Sequence, residues 1–119
     1  MSLPKIVILL LLACMGAGGQ VLFKMAAQSI AEPIELTLHT LIGVVFNPYF
    51  LASIVIFGFI AIAWVLLLRD TELGRSYLMV ALSIVLISVA GSMIFGEPLT
   101  ARQLFGTATM IVGAVVAVL

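Results

Sequence analysis

Charge is what this chain has least of. Its 119 residues include five Lys or Arg and five Asp or Glu, 8% in all, with zero formal net charge. A soluble domain is roughly 25% charged, so a water-facing exterior cannot be assembled from this composition. Zero net charge also removes the basic footprint that nucleic-acid binding needs. The single cysteine, Cys14, excludes an intrachain disulfide, and with His39 as the one histidine no His/Cys cluster has metal-ligand spacing. No nucleophile–base motif and no phosphate-cradling loop is present, so neither an enzyme nor a cofactor is expected. Acid is scarce where it would count most: all five acidic residues lie outside the four long apolar runs. A proton-driven membrane exporter would be expected to keep a carboxylate inside one, because intramembrane ionisable groups mark function.

What the chain does have is apolar surface, 65% of its residues. Four runs stand out, at about 6–27, 50–68, 76–95 and 101–119. Each approaches the ~20 residues that cross a ~30 Å hydrocarbon layer as a helix, and none alternates as a barrel strand would. The expectation is an all-α membrane protein, residues 1–119 forming one domain of four transmembrane helices. Leu11-Leu12-Ala13-Cys14 resembles a lipoprotein cleavage box, but the run continuing to Ala27 favours a spanning segment. Pro4 and Pro48 suit first helical turns. Thr100-Ala101-Arg102-Gln103 has the form of a capping box. Gly96-Glu97-Pro98 breaks the third run from the fourth. Short loops at Asp70 and Glu97 predict that spans two, three and four form adjacent antiparallel hairpins. The longer connection from Gln28 to Asn47 predicts an interfacial helix starting at Pro33, with Ile34, Leu38, Leu41, Ile42 and Val45 on its apolar side. Lys5, Arg69 and Arg75 fall on one side of the membrane and Lys24 and Arg102 on the other. The positive-inside rule prefers the first group in the cytoplasm by a margin small enough to permit antiparallel dimers.

One charge sits well inside a run. Gly16, Gln20 and Lys24 are four residues apart on one helical face of the first span. An amide and an ammonium there offer donors to an anionic head group. Their alternative is a packing face with a snorkelling lysine. Arg75 and Tyr77 open the third span and could complete an anion site or anchor the interface; Trp64 has the same two readings. Ser83 lies deeper, where serines bond to backbone carbonyls, pack between helices or meet a ligand. In the fourth span Gly106, Met110, Gly113 and Ala114 form a small-residue stripe that suits a subunit contact or packing within one subunit.

Gly19-Gln20 with Lys24, Ala63-Trp64-Val65-Leu66-Leu67-Leu68, Gly74-Arg75-Ser76-Tyr77, and Gly96-Glu97-Pro98 leading to Gly106 and Gly113 occur in an order that resembles the small multidrug resistance group of the drug/metabolite transporter superfamily. The chain is most similar to the paired small subunits proposed to flip 4-amino-4-deoxy-L-arabinose carried on undecaprenyl phosphate. The resemblance implies a four-helix subunit that dimerises through the fourth helix, with the site between the first three helices of both copies. Aligned on Lys24, the drug exporters' essential glutamate falls at Gly16, their site tyrosine at Tyr77 and a tryptophan at Val80. Losing that carboxylate argues against proton–cation exchange.

The expected function is therefore translocation of a polyprenyl-phosphate-linked sugar across the bacterial inner membrane by a homodimer or a heterodimer with a similar four-span subunit. Gln20, Lys24, Trp64, Arg75, Tyr77 and Ser83 are the candidate substrate contacts. An exporter of a small solute or cation, coupled through Glu72, Glu97 or His39, is the alternative. A non-transporting assembly subunit of a membrane complex is a third.

Overall fold

In a computed structural model, residues 3–30 and 36–119 are described. They form six helices: α1 (Leu3–Gln28), α2 (Leu38–Val45), α3 (Pro48–Leu68), α4 (Leu73–Val80), α5 (Ser83–Phe95) and α6 (Ala101–Val118). No strand occurs among the described residues. Helices are the form a long apolar run takes in lipid, because each satisfies its own backbone polar groups. Three helical segments are long and apolar enough to cross a membrane: α1, α3 and Leu73–Phe95; α6 is a shorter apolar helix.

Local chemistry sets the ends. Asn47 caps α3 by accepting from the Tyr49 amide at 2.9 Å, and Pro48 occupies the first turn, where its missing N–H costs nothing. Thr100 caps α6 by accepting from the Gln103 amide at 3.1 Å. Gly96, with φ +67°, ends α5 in a left-handed (αL) cap: the Gly96 amide donates to the Ser92 carbonyl and the Glu97 amide to the Gly91 carbonyl.

The interfacial helix is described from Leu38: Leu36 and Thr37 before it are non-helical, and Thr37 caps α2 by accepting from the Thr40 amide. Pro33 and Ile34 lie outside the described residues. Leu38, Leu41, Ile42 and Val45 do form an exposed apolar stripe on this short helix. The third run is one candidate span, Leu73–Phe95, and a turn inside it divides it into α4 and α5. At Ala81–Leu82 the Ala81 amide reaches both the Tyr77 and Leu78 carbonyls, and Ile84 and Val85 donate three residues back, a tightened turn with neither proline nor glycine in it.

Helix α1 is the centre of the molecule. It packs chiefly against α3 and also against α4 and α5, while α6 packs against α4. Spans two and three thus meet mainly through α1, and not as the direct hairpin that their short loop suggested. Small residues explain this placement. Ala13, Ala17 and Gly19 are among the buried residues of α1, and such positions let helices approach closely. A Cβ at Gly19 would lie 2.7 Å from the Phe57 ring. Beside it the buried Ser53 hydroxyl donates to the Gly19 carbonyl at 2.8 Å. Phe23 stacks on Phe57 with centroids 5.2 Å apart and tilts against Phe50 at 5.9 Å.

The exterior is as apolar as the interior. Val55, Phe59, Ile62, Val65 and Leu66 of α3 are all exposed, and a helix hydrophobic on every side belongs in a membrane or a large core. This is a multi-pass membrane protein. At one end, Lys5 Nζ donates to the Asp70 carbonyl at 3.2 Å. At the other, Asn47 Nδ2 donates to the Ser29 hydroxyl at 2.6 Å.

Candidate functional site

A groove of about 400 Å³ runs along α1 between α3 and the α4–α5 pair. On α1 its wall is Leu12, Ala13, Gly16 and Gln20; Trp64 of α3, Tyr77 of α4 and Ser83 of α5 also line it. The Trp64 and Tyr77 rings meet edge to face, centroids 6.2 Å apart, and form the contact that bridges α3 and α4 at this site. Val80 and Ser83 line the groove from either side of the helix break. A Cβ at Gly16 would meet no atom within 4 Å. The position to which the resemblance assigns a carboxylate is therefore open space on the groove wall.

A second groove of about 160 Å³ continues from the first, sharing Gln20 and Ile87. Lys24, Gly91 and Glu97 lie along it. The Lys24 ammonium pairs with the Glu97 carboxylate at 3.6 Å, and each side chain is about half exposed (48% and 52%). Together the two grooves form a path along α1, apolar and aromatic towards Trp64 and charged at Lys24.

Five of the six candidate contacts lie on this path: Gln20, Trp64, Tyr77 and Ser83 in the larger groove, and Lys24 with Gln20 in the smaller. Arg75 lines neither groove and is exposed. It belongs with Lys5 and Arg69 at the opposite end of the molecule from Lys24. Neighbouring Ser76 is fully buried, and its hydroxyl has no partner. Sequence reasoning placed Glu97 at the helix break and in the alternative exporter reading, and missed it as the partner of Lys24. The available signal was Gly91 and Gly96 preceding it: one clears space beside the helix, the other turns the chain. Of the residues expected at a subunit contact, Gly106, Met110 and Gly113 are exposed, whereas Ala114 is buried within the subunit.

No protein-family model matches the chain, and no solved structure does. Curated relatives do. The chain is 32% identical over 108 residues to the probable 4-amino-4-deoxy-L-arabinose-phosphoundecaprenol flippase subunit ArnE of Serratia proteamaculans (strain 568), covering 91% of this chain and 87% of that one. It is 30% identical over 109 residues to the protein of the same name from Aeromonas hydrophila subsp. hydrophila, covering 91% and 92%. The chain belongs to this family of flippase subunits. Against the family's member in Pseudomonas aeruginosa (strain UCBPP-PA14), the match is 33% over 69 residues, spanning 60% of that relative's length. The family's members are named as subunits of a transporter and not as enzymes.

Proposed function

We propose that the chain is one subunit of a translocator that carries a polyprenyl-phosphate-linked sugar, of the aminoarabinose type named for its relatives, across the bacterial inner membrane. The observation that carries this is the pair of adjoining grooves along α1, which share Gln20 and place the Trp64–Tyr77 pair and Lys24 on either side of it. The lipid tail stays in the bilayer beside the all-apolar helices. The sugar lies against the aromatic pair, with Gln20 and Ser83 as hydrogen-bond partners, and the phosphate pairs with Lys24. Compensation matters because an unpaired charge at the bilayer centre costs roughly 3 kcal/mol even on insertion scales.

In this proposal α6 is the fourth crossing. Its 18 residues give a length of ~27 Å, close to the ~30 Å hydrocarbon thickness. The groove is open on one side, and a second, similar four-span subunit would close it. Gly106, Met110 and Gly113 are the exposed small-residue surface on which that subunit would dock. A proton-coupled exporter of small cations would need a free carboxylate on the path. Glu97 is the acid lining it among the described residues, and it is engaged by Lys24. Flipping in reconstituted vesicles tests the proposal. Lys24→Ala should lower the initial rate at least tenfold; an unchanged rate removes Lys24 from the mechanism, and pH-gradient-driven uptake of a small cation would favour the exporter.

A further inference from the structure

We infer that Glu97 is a built-in occupant of the phosphate site: its carboxylate holds Lys24 in the empty groove and is displaced by the phosphate of the incoming lipid. This rests on the proposal that Lys24 receives that phosphate.

Three independent features of the chain put the carboxylate there. The left-handed turn at Gly96 reverses the backbone, so that the Glu97 amide is bonded to the Gly91 carbonyl six residues back in the chain. Gly91 then provides the room: a Cβ there would stand 2.6 Å from Glu97 Oε2, so the carboxylate lies over bare backbone. Lys24 meets the other oxygen, Oε1, at 3.6 Å from across the groove. Lys24, Gly91 and Glu97 all line the same small groove, which shares Gln20 and Ile87 with the larger one.

A carboxylate and a phosphodiester are both oxyanions, and each contributes one negative charge to an ammonium partner. Exchanging one for the other keeps Lys24 compensated when the groove is loaded and when it is empty. Glu97 itself is half exposed, next to the loop that starts α6, so it can return to water when displaced. A carrier built this way has no uncompensated lysine to reset after releasing its cargo. The cost is affinity. An internal competitor lowers apparent binding by the fraction of time that it leaves the lysine free.

The test is binding of a sugar-linked undecaprenyl phosphate, a phosphodiester, to the 119-residue chain in nanodiscs. Glu97→Gln should tighten binding about threefold, as expected where a half-exposed pair is closed roughly two-thirds of the time. Gly91→Ala should do the same by another route, because its methyl group pushes the flexible Glu97 side chain off Lys24; it also keeps the test valid if Glu97→Gln does not fold. Glu72→Gln lines neither groove and should leave binding unchanged. Unchanged or weaker binding in both Glu97→Gln and Gly91→Ala, with Lys24→Ala still losing affinity, overturns the inference and leaves the proposed function standing. Wild-type affinity in Lys24→Ala overturns the assignment of Lys24, and the inference with it. Inorganic phosphate at millimolar concentration should bind at least tenfold more weakly than the lipid. Equal binding of the two would overturn the assignment to a lipid-linked substrate.

Discussion

Among single residues, the glycines of α1 show how one amino-acid type serves two purposes on one helix. Gly19 is buried against the Phe57 ring, and moving that ring aside would disturb its stack on Phe23. Gly18 next to it is exposed and would accept a Cβ without contact. Gly19→Ala should therefore destabilise the protein by about 1–3 kcal/mol through overpacking. Gly18→Ala should be neutral or stabilise it by up to ~1 kcal/mol, because alanine loses less backbone entropy in a helix. Unfolding of the detergent-solubilised protein measures both. Equal effects would mean that α1 and α3 do not touch at Gly19. The same scale shows what the sequence made legible in the site and what it did not. Gly16, Gln20 and Lys24 share a face because their spacing matches the helical repeat, and they line the path. Arg75 and Tyr77 were read as partners although two residues of helix set them about 200° apart. Helical geometry alone sends one to the groove when the other faces away. Glu97 could not be matched to Lys24 from spacing, because the pair is made by the tertiary packing of α1 on α5.

For whole elements, legibility follows the strength of the local signal. Proline at the start of α3, the threonine cap of α6 and the glycine after α5 are each visible in sequence because each satisfies backbone groups that a helix end leaves open. The break between α4 and α5 carries no such mark. Ala81 and Leu82 are ordinary helix formers, and the turn there is tightened through shared and shifted hydrogen bonds. The packing order was hidden for a similar reason: short loops report which spans are consecutive, whereas close packing depends on where small residues permit approach. The end of α5 is the element whose failure would be most informative. Gly96 has φ +67°, a conformation that costs an L-residue roughly 1–2 kcal/mol. Gly96→Ala should lose about that much stability, and hydrogen exchange should show earlier opening at the Ser92–Glu97 turn than at the middle of α3. A uniform change across the chain would show that the turn is not a separate local unit.

For the molecule as a whole, the number of membrane crossings turns on α6. The first three segments are 21 to 26 residues long, whereas α6 has 18. It is exposed along most of its length, with Thr107, Ile111 and Ala114 as its least exposed face. A helix this apolar and this thinly packed needs either lipid or a second subunit around it. Four crossings put Lys5 and Leu119 on one side of the membrane and Thr100 on the other; a helix lying along the surface would put Leu119 with Thr100. In a Cys14→Ser background, cysteines introduced singly as Lys5→Cys, Thr100→Cys and Leu119→Cys report the answer through an impermeant thiol reagent. The first and third should label together and the second with the opposite pattern. Leu119→Cys labelling with Thr100→Cys would overturn the fourth crossing and, with it, the docking surface at Gly106, Met110 and Gly113. Half-labelling of all three from each side would have a different meaning. It would show that the chain inserts both ways, as an antiparallel homodimer requires and as the narrow balance of Lys5, Arg69 and Arg75 against Lys24 and Arg102 permits.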